Sequence, residues 1–200
     1  MPKLQSHGLR NFGNKKENGM KAVDKTALLA QLENTVENHL QVVVHDFQNR
    51  SEEELNKPSV TGGWSVAQCL EHLNSYGRFY LPELQKALSK AGRVEQKEFK
   101  STWLGGYFKE MMDPKTSTRK YRAFKNHIPS ASLEAGKVVA EFIQQQEELL
   151  GYLRMAHDRD LNKRIPISIT RFIRLKMGDV FQFLIAHDER HLKQAKRNLL

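Results

Sequence analysis

The chain has a single cysteine in 200 residues, Cys69, so no internal disulfide can brace it. A chain of this length can bury a sizeable core without one. A lone thiol suits a reducing compartment, and a cytoplasmic protein is the expectation. Long hydrophobic runs are missing too. The longest apolar clusters, such as FQFLIA at 181–186, fall far short of the roughly 18–20 residues that span a bilayer. The basic residues near the start have no apolar stretch behind them, so no secretory signal and no membrane partner are expected. Gly-rich phosphate loops, dinucleotide fingerprints and zinc-finger spacings are also absent, which removes the usual nucleotide-binding classes.

Acids are in deficit, with 32 Lys and Arg against 23 Asp and Glu and a formal net charge of +9. Nucleic acid is the first suspect for such a protein. The excess is dispersed, however. Lys3, Arg10, Lys15 and Lys16 outnumber Glu17 in the first twenty residues, and bases alternate with acids in EQKEFK at 95–100. A solvated basic surface is expected, with no nucleic acid as primary partner.

Residues 1–20 are polar, Gly/Asn-rich and aperiodic, and predict a mobile tail; Met20 is an alternative start. Residues 21–200 predict one domain. A first helix is expected over 25–48, capped by Asp24, with Leu28, Leu32, Val36, Leu40, Val43 and Phe47 at three- and four-residue spacing. A second runs from Ser65 to about Lys90, with Ser65 and Gln68 spaced as a capping box and Pro82 inside. Residues 93–130 are irregular. WLGGYFKEMM within them reads as a short helix or an extended cover, and Gly105–Gly106 argues against a long helix. A third helix is expected from Ser132 to about His157, then a loop through Ile165–Pro166. The fourth is capped near Asp179 and runs to the end. Four long amphipathic helices predict an all-α four-helix bundle.

His187 and His191 lie four apart on that last helix, hence on one face, with Cβ atoms about 5–6 Å apart. Two imidazoles so placed can share a metal ion, and His72 on another helix would complete a three-nitrogen site with open positions. The competing reading is three hydrogen-bonded core histidines. Gln68, one turn before His72, and Gln194, three residues past His191, are candidates to orient the rings. For Gln68 the capping box competes with that role. Tyr76, one turn after His72, is a candidate proton donor or a packing residue. Cys69 reads as a small buried hydrophobe.

GGWSVAQCLEHL and HDERHLKQ together resemble the two signatures of the DinB-like superfamily, the YfiT type of metalloenzyme, over roughly residues 22–200. The resemblance implies an up-up-down-down type of bundle and a divalent metal, zinc or nickel, held by His72, His187 and His191. It also implies an enzyme that activates water or a low-molecular-weight thiol for hydrolysis or transfer. A non-catalytic metal-binding stress or interaction protein is the alternative, and a homodimer is compatible with either. Three neutral ligands leave the ion its full charge, which is what acidifies a bound water or thiol.

Overall fold

The computed structural model describes residues 21–60, 62–115 and 121–199, so the predicted tail lies outside the described residues. Asp24 opens the fold. It ends the short strand β1 (Val23–Asp24) and caps α1 (Lys25–Asp46), accepting the Ala27 N–H at 2.7 Å. Such a cap is worth about 1 kcal/mol. A short helix, α2 (Glu52–Asn56), follows, and then α3 (Val66–Lys90), which is continuous through Pro82. The Ser65–Gln68 capping box forms in both directions. Strand β2 (Glu98–Phe99) pairs antiparallel with β1. WLGGYFKEMM is helical, as α4 (Trp103–Met112). The remaining long helices are α5 (Ala135–Ala156) and α6 (Met177–Arg197).

Three elements differ from expectation. The loop through Ile165–Pro166 is a hairpin of β3 (Arg164–Ile167) and β4 (Thr170–Lys176). Pro166 is tolerated there because each strand of a two-stranded ladder has a free edge. The third long helix starts three residues later than expected. Its N-terminus is capped by a distant residue, Glu52 of α2, whose carboxylate accepts the Ala135 and Gly136 N–H groups at 2.7 Å. A carboxylate suits the positive end of a helix dipole. Asp179 is not the cap of α6 but lies in its first turn, where it accepts the Thr102 hydroxyl at 2.7 Å. Gly105 makes this junction of α4 and α6 possible, because a Cβ there would fall 2.1 Å from the Asp179 carboxyl carbon. The glycine pair thus serves close packing inside a helix and does not end one.

Cross-bundle pairs fix the helix directions. Glu189 and Lys196 of α6 meet His39 and Asp46 of α1 in rising order, so α1 and α6 are parallel. Arg154 of α5 and His157 just past its end meet Glu37 and Glu33 in falling order, so α5 opposes α1. Asn74 and Arg78 of α3 meet Val138 and Glu141, which makes α3 parallel to α5. The order is therefore up-down-down-up and not the up-up-down-down type. Because α3 and α5 run the same way, the chain must return along the whole bundle between them. That is the physical reason for the irregular segment at 93–130.

Two buried apolar clusters fill the bundle. One is built around Leu84, Leu88, Leu153 and Phe181, the other around Phe47, Leu70, Phe142 and Leu192. Cys69 packs in the second, where burial pushes its thiol up to about 12. Among the described residues no helix is long and apolar enough to cross a membrane.

Lys25 is a buried charge with a structural task. Its ammonium donates to the carbonyls of His157 and Arg159, each at 2.8 Å, and so holds the exit of α5 against the start of α1. Lys25→Met strands both carbonyls and is expected to cost about 2 kcal/mol in urea unfolding. A loss near zero would show that solvent replaces the ammonium without penalty.

Candidate metal centre

The antiparallel contact of α3 with α6 sets His72 opposite His187, and the helical repeat brings His191 to the same side. The ligand-capable atoms of the three residues all lie within 4.8 Å of one another. His72 Nε2 and His187 Nε2 are 3.2 Å apart. Two nitrogens bound to one tetrahedral ion at 2.0–2.1 Å would be separated by about 3.3–3.4 Å. The cluster therefore already has the dimensions of a small coordination sphere. His72 and His187 are buried, and His191 is partly so.

Each ring's state follows from what its other nitrogen meets. The His72 Nδ1–H donates to the His127 backbone carbonyl at 2.7 Å, which leaves the Nε2 lone pair pointing at the cluster. The His191 Nδ1–H donates to Gln194 Oε1 at 3.0 Å. Gln68 does not orient His72. Its Oε1 accepts the Ser65 N–H at 3.0 Å, and its Nε2 donates to the Ser130 carbonyl at 3.2 Å. Among the described residues, His187 Nδ1 is buried with no hydrogen-bond partner.

Burial, together with the proximity of the rings, keeps all three imidazoles neutral. Desolvation pulls His72 down to about 4 and His191 to about 3, and lowers His187 well below its ordinary range. Neutral imidazole is the form that binds zinc, nickel and related ions. The donor set fits a divalent metal.

Aromatic rings wall the cluster. Trp64 lies with its ring centroid 4.7 Å from that of His72 and 5.9 Å from that of His191. Tyr76 is 5.2 Å from His72 and 4.6 Å from His187, and burial pushes its hydroxyl up to about 12. His127 was missed from the sequence. It sits in a short helical turn of the returning segment, stacks on Tyr76 at 3.8 Å and bonds Ser75 through Nδ1 at 2.8 Å. Its contribution to His72 is a backbone carbonyl, which any residue could provide, so no sequence signal marks it. Asp188 points away from the cluster, as its position on the helix requires. It accepts from Gln146 Nε2 at 3.0 Å, and burial pushes its carboxyl up to about 6.

Because the folded histidines hold protons less well than the unfolded ones, acid favours unfolding. Their contribution is intact above about pH 6.5, the unfolded value. It is lost as pH falls through about 4 and then 3, where His72 and His191 titrate. Urea titrations of metal-free protein should show stability falling over that window, and His187→Gln should flatten the slope.

The sequence matches the profile of the DinB superfamily over residues 28–195. No curated protein matches the chain in sequence. Among solved structures, the chain is similar to YfiT from Bacillus subtilis, described as a probable metal-dependent hydrolase with an unusual four-helix bundle topology. The likeness has a TM-score of 0.50 at 14% identity and covers 95% of this chain and 90% of that one, which supports the fold alone. With the family profile spanning most of the bundle, the chain belongs to the DinB superfamily.

Proposed function

We propose that this chain is a metal-dependent hydrolase whose ion is held by His72, His187 and His191. The observation that carries the reading is the convergence of three neutral imidazoles within 4.8 Å. The description of YfiT as a probable metal-dependent hydrolase favours hydrolysis over other metal chemistry. A divalent ion bound there supplies Lewis acidity, which lowers the pKa of water and polarises a carbonyl or phosphoryl oxygen.

The chain's own groups do the rest. The His127 carbonyl and Gln194 hold His72 and His191 in the tautomers that turn lone pairs inward. Such partners commonly alter metal affinity by 10–100-fold. Trp64 and Tyr76 flank the rings and keep the local dielectric low. The Tyr76 hydroxyl stays protonated at neutral pH and is a proton source beside the histidines. Thiol transfer would need an external thiol, because Cys69 is buried in the core and its sulfur stays protonated.

Protein prepared without chelator should carry about one equivalent of zinc or nickel, and His187→Ala should carry none. Chelation should abolish hydrolysis of activated esters, and added zinc should restore it. Gln194→Ala should weaken metal binding by roughly tenfold with the fold intact. Hydrolysis that survives in metal-free His187→Ala would contradict the proposal.

A further inference from the structure

We infer a binding site for an uncharged aryl or short alkyl group in the cleft between α4, the β3–β4 hairpin and the α3–α6 pair. That this group belongs to the substrate of the histidine centre rests on the function proposed above. The cleft encloses about 350 Å³, part of it open to solvent.

The lining states the chemistry. Phe108, Met111 and Met112 come from α4, Phe183 from α6, and Ile167 and Ile169 from the hairpin. Among the described residues, no charged side chain lines the cleft, and its side-chain polar atoms are the hydroxyls of Tyr76, Tyr80 and Ser168. Tyr80 is already engaged, since its hydroxyl oxygen accepts the Ser168 N–H at 3.2 Å. A charged ligand group would lose its water there and gain no counter-ion, whereas an apolar one gains from burial. The paired methionines have unbranched, polarizable side chains that fit rings of varied outline.

The cleft shares a wall with the histidines. Phe183 stacks on His187 with ring centroids 5.6 Å apart and planes 17° from parallel. Tyr76, which lines the cleft, also faces His72 and His187. A group seated against these two rings lies one aromatic ring away from the candidate ligands. That places an adjoining ester, amide or similar electrophile near the centre. The hairpin and α4 both lie outside the four long helices, and here they gain a common task.

The test is a fluorescence titration of the full chain with N-phenyl-1-naphthylamine, a neutral probe, in chelator-stripped and zinc-loaded protein. Saturable binding is expected in both. Ile169→Arg and Met111→Arg should each weaken it at least tenfold. Ile169 is 48% exposed, so its exchange leaves packing intact, as a thermal melt will verify. Trp103→Ala and Phe172→Ala remove apolar groups that are 79% and 97% exposed and lie outside the cleft, and should leave binding unchanged. No saturable binding, binding that survives both arginine variants, or binding lost in the two alanine variants would overturn the site. A chain that binds the probe as expected but takes up no metal keeps the cleft and loses the hydrolase reading.

Discussion

A buried polar layer across the middle of the bundle is the constraint on which the rest depends. His39 of α1, His72 and Asn74 of α3, Gln146 of α5, and His187 and Asp188 of α6 are all buried there. Apolar clusters lie on either side: Tyr76 and Leu184 belong to one, Leu73 and Leu192 to the other. Apolar packing alone would tolerate helices sliding by a turn. Polar groups in a dry interior do not, because each needs its partner at hydrogen-bond distance. Gln146 to Asp188, Asn74 to the Val138 carbonyl, and His39 to Glu189 are such partners, at 3.0, 2.9 and 2.9 Å. They set the register that aligns His72 with His187.

The helix order turns this register into a site. With α3 and α5 parallel, the returning segment must pass the waist of the bundle, and there it presents the His127 carbonyl to His72. The same segment contributes α4, whose Gly105 lets it settle on Asp179 of α6. A bundle with short antiparallel connections throughout would leave His72 without this acceptor and α6 without its cover. The topology is thus part of the chemistry, because it decides which nitrogen of His72 is free.

Features that act locally along the chain were legible in the sequence. The Asp24 cap, the Ser65–Gln68 capping box and the His187–His191 pair depend on neighbours three or four positions away. The contact of His191 with Gln194, three positions on, is equally local. The family signature linked His72 to the pair. What was not legible depends on partners distant in sequence: Glu52 capping α5, Lys25 closing its exit, and a loop carbonyl orienting His72. For Gln68 the competing capping-box reading is the one realised, since its amide serves the capping box and the Ser130 carbonyl. Helix directions could not be read either, since the length of the segment at 93–130 allows a return in either sense.

As proposed, three imidazoles converge on one ion with room left for a reacting group. X-ray absorption on zinc-loaded protein tests it most directly. Three imidazole nitrogens at about 2.0–2.1 Å with one additional light ligand, and no sulfur, are expected. A shell without imidazole scattering, or one dominated by carboxylate oxygen, would contradict it.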